Sequence, residues 1–498
     1  MNYQIQFPKE QKSCEVSEDT TIMQAAQMLE IPLDAPCGGR GKCNKCIVKV
    51  EDAEGTRQVK ACQTKVDRDM SVYLICQEAK SARILSQGLD RDIQINPYEG
   101  EEGYLAAFDI GTTSVVGYLL KGDTGEELSA ASMLNPQSQF GADVISRCNY
   151  VLTNHTTQLA DVIRETLNTL LEQLAEKVGI TVEEIMQISV VGNTCMHHLF
   201  MGIDPHSIVV APYKPAQKAS MTVKASDCDL HIHPDGILRV LPNIDGFVGA
   251  DTVGCILACQ MDQREKMTLM IDIGTNGEIV LGNKNRLICT STAAGPAFEG
   301  AKITCGMRGA DGAIDHVYNG DEITYSVIGD KEPIGICGSG LMDAVRVLLE
   351  RDEIMETGRI ENDGKPLYIS KDVYLTQQDI REVQLAKGAM AAGMRILCKE
   401  MGIQVDDIEE ILIAGAFGNY MNPDSACYIG LLPRQLRARI SNIGNAAGVG
   451  AKVAILDHKE FEKADRLVEH VEFVELAASM EFQEIFVEEM GFIKEELS

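Results

Sequence analysis

One tetrapeptide, Asp-Ile-Gly-Thr, closes two separate apolar runs in this 498-residue chain, and the likeness extends well beyond four residues. Tyr104-Leu-Ala-Ala-Phe-Asp109-Ile-Gly111-Thr-Thr-Ser114 lines up with Thr268-Leu-Met-Ile-Asp272-Ile-Gly274-Thr-Asn-Gly277. Each is followed by a second apolar run, a glycine-containing turn and a third run. Further on, Gly179-Ile-Thr-Val-Glu-Glu-Ile-Met-Gln-Ile-Ser-Val-Val-Gly192 matches Gly402-Ile-Gln-Val-Asp-Asp-Ile-Glu-Glu-Ile-Leu-Ile-Ala-Gly415 without a gap. Helical spacing precedes both, over 158–178 and 381–401. Two repeat pairs in the same order predict a duplicated α/β domain with a cleft between its halves, lobe I over 104–265 and lobe II over 266–454. Residues 455–498, acidic and periodic, are expected to add helices that close the domain.

The glycine turns suit phosphate chemistry. Glycine lets backbone approach a ligand, exposed N–H groups and threonine hydroxyls donate to phosphate oxygens, and an aspartate holds Mg²⁺, usually through water. Asp109 and Asp272 are the expected metal-linked catalytic carboxylates, with Gly111, Thr112, Thr113, Gly274, Thr275 and Asn276 around the nucleotide. Gly335-Ile-Cys-Gly338-Ser339-Gly340 precedes an apolar helical run, a glycine nest where a phosphate could sit. Ile411-Leu-Ile-Ala-Gly415-Ala-Phe-Gly418 is a buried-strand pattern entering a glycine turn, where a nucleoside could lie on backbone. Asp251 in Gly249-Ala-Asp-Thr reads equally as a nucleotide contact or a helix cap. No G-x-x-x-x-G-K-[ST] loop occurs, which excludes an ordinary P-loop NTPase.

Residues 3–7, 12–16, 46–50 and 71–76 are short mixed apolar runs, and Thr20 to Leu29 has helical spacing. They predict a small α+β domain over 1–82, joined by a polar, acidic linker over 83–103. Inside it, Cys37-Gly-Gly-Arg-Gly-Lys-Cys43-Asn-Lys-Cys46 has C-x5-C-x2-C spacing, and glycines between the first two thiols suit a loop around an inorganic centre. Cys62, in Lys60-Ala-Cys62-Gln-Thr at the end of a polar hairpin, is the expected fourth ligand; Cys76 reads as core. Zinc is the alternative, although it usually shows two separated C-x2-C knuckles and only one pair here has that spacing. Cys255, Cys259, Cys289, Cys305 and Cys337 lie singly on apolar segments and read as core, and His197-His198 reads as packed or capping.

No signal peptide or apolar run of membrane length is found, so the chain reads as soluble and cytoplasmic, where its 16 cysteines stay reduced. Residues 1–96 hold 13 Lys+Arg against 14 Asp+Glu, so nearly all of the −29 net charge falls on the remainder. So acidic a surface repels phosphate backbones and argues against nucleic acid as partner.

Residues 104–498 resemble the acetate and sugar kinase, Hsp70 and actin superfamily, which has an RNase H-like, two-lobed ATPase fold. Asp109-Ile-Gly-Thr-Thr-Ser is similar to its first phosphate motif, Asp272-Ile-Gly-Thr-Asn-Gly to its second, and Ile413-Ala-Gly415-Ala-Phe-Gly418 to its adenosine motif. The cysteine spacing resembles a [2Fe-2S] ferredoxin of the adrenodoxin-like branch. The fused pair resembles the reductive activators of corrinoid enzymes. That resemblance implies a [2Fe-2S] cluster on Cys37, Cys43, Cys46 and Cys62, MgATP at the two phosphate turns, Gly338 to Gly340 on phosphates and Gly415 to Gly418 on the nucleoside. It implies one electron passed to Co(II) of a methyltransferase's corrinoid protein, regenerating Co(I) at the expense of ATP. It further implies an external electron donor for the cluster and a homodimer. Ferredoxin potentials lie near about −400 mV, and each further 100 mV uphill costs about 2.3 kcal/mol per electron, a cost ATP can meet. The chain leaves little room for the extra linker and middle domains of longer members. The competing readings are a redox-regulated metabolite kinase, a chaperone-like clamp with a structural cluster, and an activator of another low-potential enzyme.

Overall fold

A computed structural model describes residues 2–29, 31, 33, 41, 46–74, 93–98, 103–141, 143–361, 364–415, 420–476 and 479–492. Cys37, Cys43, Cys76 and Gly418 lie outside the described residues. The chain divides into two compact units, Met1–Lys80 with Asn135–Ile163, and Ser81–Leu134 with Arg164–Ser498.

In the first unit, β1 (Asn2–Phe7), β2 (Lys12–Ser17), β3 (Ile47–Asp52), β4 (Gly55–Lys60) and β5 (Met70–Leu74) form one sheet in the order β2-β1-β5-β3-β4. Period-two alternation sends Ile5 and Phe7 of β1, Val48 and Val50 of β3 and Val72 of β5 into the core. Helix Ile22–Met28 covers them with Ile22, Ala25 and Ala26, one face at helical spacing. Its start is fixed by a capping box: Gln24 N–H donates to the Thr21 hydroxyl, and Thr21 N–H to Gln24 Oε1 at 2.8 Å. The β3–β4 hairpin, in register Ile47↔Lys60, continues by a bond from Ala61 N to Cys46 O. That added rung sets Cys46 and Cys62 beside each other. Asn135–Ile163, which the repeat placed in lobe I, belongs to this unit.

The second unit carries the duplication. Lobe I contains β6 (Tyr104–Ile110), β7 (Ser114–Lys121), β8 (Glu127–Leu134), β9 (Ile185–Gly192), β10 (Met221–Lys224) and β11 (Ile237–Val240), in the order β10-β11-β9-β6-β7-β8. Lobe II contains β12 (Thr268–Ile273), β13 (Gly277–Asn283), β14 (Arg286–Thr292), β20 (Glu410–Ala414), β21 (Ile440–Gly444) and β22 (Val471–Phe473), in the order β21-β20-β12-β13-β14-β22. The plans superimpose: three antiparallel strands, with a parallel strand beside the first and another parallel strand beyond it. Helices Gln158–Val178 and Gln377–Met401 recur between the third strand and that parallel strand. The second begins earlier than its apolar spacing suggests, because Thr376 and Asp379 form a capping box upstream.

Lobe II adds a small sheet in the order β16-β15-β17, made of β15 (Ala313–Asn319), β16 (Ile323–Val327) and β17 (Gly335–Ile336), and a short antiparallel pair, β18 (Leu367–Tyr368) with β19 (Tyr374–Leu375). Helix Gly338–Glu350 leaves directly from β17. The C-terminal segment forms helices His458–His470 and Met480–Glu489, and between them β22 pairs with β14. In the segment expected as linker, 93–98 is bound to this unit. Asn96 N donates to Leu456 O at 2.8 Å, Ile93 and Ile95 pack on the core, and Arg239 lies 4.0 Å over the Tyr98 ring. Alternating apolar residues in Ile93-Gln-Ile95, obscured by the acidic flanks, supply that attachment. Among the described residues no helix is long and apolar enough to cross a membrane.

Candidate functional site

Both Asp-Ile-Gly-Thr turns open onto one cavity of about 280 Å³ in the second unit. The strand registers explain why. Asp109 and Ile110 pair with Val191 and Gly192, and Asp272 pairs with Ala414, so in each lobe the carboxylate emerges beside a strand that ends at glycine. A Cβ at Gly192 would stand 2.7 Å from Ile110 O, and one at Gly415 only 2.5 Å from Asp272 Oδ1. Gly415 also has φ +87°, which a side chain would strain. Each turn is closed by its own backbone: Gly111 N donates to Ser114 O at 2.9 Å, and Gly274 N to Asn276 O at 3.0 Å.

The cavity wall includes Asp109, Gly111, Thr112, Thr113, Asp251, Asp272, Gly274, Thr275, Asn276, Gly338, Ser339 and Gly415. Gly340, also expected there, does not line it: its Cα faces Ile314 O, 2.3 Å from where a Cβ would stand. Asp251 is not a helix cap. Gly249 occupies the N-cap of helix Ala250–Cys259, and Asp251, two residues on, faces the cavity.

Four carboxylates crowd the floor. Burial, then the charge of Asp251, pushes Asp109 up to about 7, offset in part by Asn445 Nδ2, 3.0 Å from its Oδ2. Burial and the Asp251 charge likewise raise Asp272 to about 7. Burial raises Asp251 to about 6, and Glu278, which pairs with Asp272 across β12 and β13, is pushed well above its usual range by burial and both neighbours. Carboxylates that repel one another in a partly desolvated cleft are relieved by a cation. Among the described residues, no three His, Cys, Asp or Glu side chains stand close enough to cage an ion directly.

Glu299 lay outside the sequence reading. It joins the two turns, its Oε2 accepting from Thr113 Oγ1 at 2.6 Å and its Oε1 from Thr275 Oγ1 at 2.8 Å. Asn193, Arg308, His316 and Asn445 were also missed and line the same cavity. Asn193 donates to Thr112 Oγ1 at 3.0 Å and caps helix Thr194–Met201. The sequence signal for it is the strand-glycine-asparagine junction Val191-Gly192-Asn193 directly before a helix. Both histidines are buried. His198 bonds Thr194 O at 2.8 Å and accepts from Ala216 N, whereas neither ring nitrogen of His197 has a hydrogen-bond partner, and burial pushes it down to about 3. One expected core cysteine, Cys305, is partly exposed; Cys337 is buried in a small apolar cluster with Ala313 and Ile328 as expected, and is also the N-cap of helix Gly338–Glu350 at the cavity edge. Cys255 is buried, but its thiol lies 3.9 Å from Asp272 Oδ2.

In the first unit, Cys46 and Cys62 bring their sulfurs to 3.2 Å, both buried. Gly41 has φ +71°, and a Cβ there would meet Gln63 Cδ at 2.9 Å. Lys60 Nζ donates to Gly41 O at 2.9 Å, tying Gly41 to the hairpin. Two convergent thiols at the end of a hairpin to which Gly41 is tied fit the ligand chemistry of an iron–sulfur centre.

Residues 7–78 match the model of a 2Fe-2S iron-sulfur cluster binding domain, 104–264 the RACo middle region, and 266–498 the C-terminal domain of RACo, the ASKHA domain. The fold and the two sites thus define an iron–sulfur protein with an ASKHA-type nucleotide-binding domain. The chain is 34% identical to a Eubacterium limosum protein named "Corrinoid activation enzyme RamQ", over 97% of this chain and 98% of that one. It therefore belongs to the family of corrinoid activation enzymes. It is 24% identical to the "[Co(II) methylated amine-specific corrinoid protein] reductase" of Methanosarcina barkeri, covering 78% and 77% of the two chains. A solved structure described as "Reductive activator for corrinoid,iron-sulfur protein" is similar with a TM-score of 0.72 and 29% identity, covering 98% of each chain. The match at 104–264 corrects one expectation: the chain does have a counterpart of the middle region, in its first lobe.

Proposed function

We propose that this chain is an ATP-dependent reductive activator of a corrinoid protein, returning Co(II) to Co(I) by one electron while ATP is hydrolysed to ADP and phosphate. The observation that carries the reading is the joining, in one chain, of a convergent cysteine pair on a ferredoxin-type hairpin with two facing Asp-Ile-Gly-Thr turns. Similarity to corrinoid activators along nearly the whole chain supports it.

Cys37, Cys43, Cys46 and Cys62 would hold a [2Fe-2S] cluster, which when bound supplies the single electron. Lys60 and Gly41 fix the loop, and Gln63 lies against Cys62, its Nε2 3.6 Å from Sγ. In the cleft, Asp109 and Asp272 would hold Mg²⁺ through water. The tight turns at Gly111–Thr112 and Gly274–Asn276 would let backbone approach the phosphates, and Gly415, with Gly418 by the resemblance, would take the nucleoside. Thr113 and Thr275 hydroxyls, both given to Glu299, are the donors a terminal phosphate would take over. Glu299, released between the two turns, then stands where it can accept a proton from attacking water. Since its partners come from both lobes, that exchange couples nucleotide binding to lobe closure. An external low-potential donor reloads the cluster. The need for ATP and for reduced cysteines supports a cytoplasmic location, and we expect a homodimer.

The test is anaerobic. Reduced protein, freed of excess reductant, is mixed with a Co(II) corrinoid protein, and Co(I) absorbance is followed with and without MgATP. Co(I) that forms only with ATP, and not with Cys62→Ser, supports the reading. No Co(I) with several corrinoid proteins, together with ATP turnover stimulated by a small metabolite, would replace it with a redox-regulated kinase.

A further inference from the structure

Among the described residues, the cleft walls carry six acidic side chains, Asp109, Asp251, Asp272, Glu278, Glu299 and Asp315, and two basic ones, Arg308 and His316. Neither basic residue belongs to a glycine turn. His316 lies on β15, whose pairing with β16 slips between Ile314 and His316. A strand that slips a residue loses its strict alternation, and here consecutive Asp315 and His316 both reach the cavity. The other edge of β15 runs parallel to β17 in the register Ala313↔Gly335 and Ile314↔Ile336, extended by Cys337 N to Ile314 O at 3.1 Å. Hence His316 stands alongside Gly338 and Ser339, at the start of a helix that has no side-chain cap.

The ring is held. Nδ1 lies 2.9 Å from Asp343 Oδ2, and the Asp343 side chain is almost wholly buried. Its other oxygen accepts from Ser425 Oγ, and Val317 N approaches Oδ2 at 3.4 Å. A carboxylate so fixed orients the imidazole, keeps the proton on Nδ1 and leaves Nε2 as the free nitrogen. The side chain remains about a third exposed.

We propose that His316, oriented by Asp343, is a phosphate-binding residue of the cleft, its protonated Nε2 donating to a nucleotide phosphate at the start of helix Gly338–Glu350. The assignment rests on the nucleotide reading above and deepens it, because the Asp-Ile-Gly-Thr turns offer amides and hydroxyls but no cation. The hydrogen bond to Asp343, helped by the Asp343 and Asp315 charges and opposed by burial, raises the ring above its ordinary value. The other titratable or charged groups facing it are Tyr318 on its own strand, 6.3 Å between rings, Cys337 at the helix start, and Arg308 on the cavity wall. Since the cation is the binding form, affinity is highest at low pH and is lost as pH rises through the raised value.

MgADP, pyrophosphate and adenosine are titrated calorimetrically into the full chain between pH 5.5 and 8.5, using wild type, His316→Gln and His316→Lys. The acidic floor titrates in the same window, so the informative quantity is the difference between wild type and His316→Gln. A lost charge-assisted hydrogen bond predicts MgADP and pyrophosphate affinities about tenfold weaker in His316→Gln at low pH, converging with wild type at high pH. His316→Lys should bind both phosphates without that extra pH slope, and adenosine should be unaffected. An unchanged slope in His316→Gln, or a slope that appears with adenosine alone, overturns the assignment while leaving the nucleotide site standing. Failure of wild type to bind MgADP or pyrophosphate at any pH overturns the nucleotide reading and this assignment with it.

Discussion

Lobe I and lobe II share one strand plan and one turn sequence, yet they contribute unequally to the cleft. Lobe I brings Asp109 and Asp251, the three hydroxyls of Thr112, Thr113 and Ser114, and Asn193. Lobe II brings its own aspartate and also Glu278, Glu299, Arg308, Asp315 and His316. The difference lies in what each half inserts between its third strand and its long helix. In lobe II that insertion starts after Thr292 and supplies Glu299, the slipped strand with His316 and the helix that begins at Gly338. In lobe I it starts at Asn135 and groups with the ferredoxin-type unit. Duplication thus fixed the symmetric geometry of two turns, and the insertions, free of sheet register, made the halves different.

The comparison is broken most directly at the turns. Asp109→Asn and Asp272→Asn should each lower phosphate release by about 100-fold or more, because each removes a charge aimed at the same cation. Thermal stability should hold or rise in both, since each also relieves repulsion among the crowded carboxylates. A drop in only one variant would show that the duplicated turns no longer share their role.

A finer probe addresses the link between the lobes. Thr113→Val and Thr275→Val each remove a hydroxyl from Glu299, and each is expected to slow phosphate release about tenfold. Measured with Glu299→Gln in a double-mutant cycle, the effects should be non-additive, since all three side chains form one network. Additive losses would mean that Glu299 does not connect the turns in the working state.

The repeat made the turns legible because tight turns against a sheet leave few sequences that fit: a carboxylate, a glycine, a hydroxyl. It could not reveal Glu299, Asn445 or His316, whose roles depend on long-range placement. Asn445 reaches Asp109 from 336 residues away in sequence. Glu299 sits in Ala293-Ala-Gly-Pro-Ala-Phe-Glu299, a loop-like string with no period to mark its glutamate. Asp251 could be narrowed from sequence only to two alternatives, because a cap and a second-position residue differ by a single step along the chain. The Cys46 and Cys62 pair was legible for another reason: the two lie 16 residues apart, and the hairpin that aligns them needs only local register.

Lobe I also carries a cost without a counterpart in the strand plan. His197 is buried, neutral and without a hydrogen-bond partner, with a folded value near 3 against an ordinary 6.5. The unfolded chain therefore binds an extra proton between those values, so stability is fully kept above pH 6.5 and is lost as pH falls toward 3. His197→Leu should flatten this part of the acid limb, a difference of a few kcal/mol at the low-pH end by chemical denaturation. An acid limb identical to wild type would show that the ring finds a partner in solution.

The smallest expected effect lies in the other unit and tests whether its chemistry is separable from the cleft. Gln63 Nε2 is 3.6 Å from Cys62 Sγ and 3.2 Å from Cys62 O, and its side chain packs against the space that Gly41 leaves. A donor near a ligand sulfur stabilises the more negative, reduced cluster, so its loss makes reduction harder. A hydrogen bond worth about 1 kcal/mol corresponds to roughly 40 mV for one electron, so Gln63→Leu should move the midpoint negative by about that much. MgADP affinity should stay at the wild-type value, since the substitution alters no group in the cleft. A midpoint that does not move would reduce Gln63 to a packing residue, chosen to fill the gap beside Gly41.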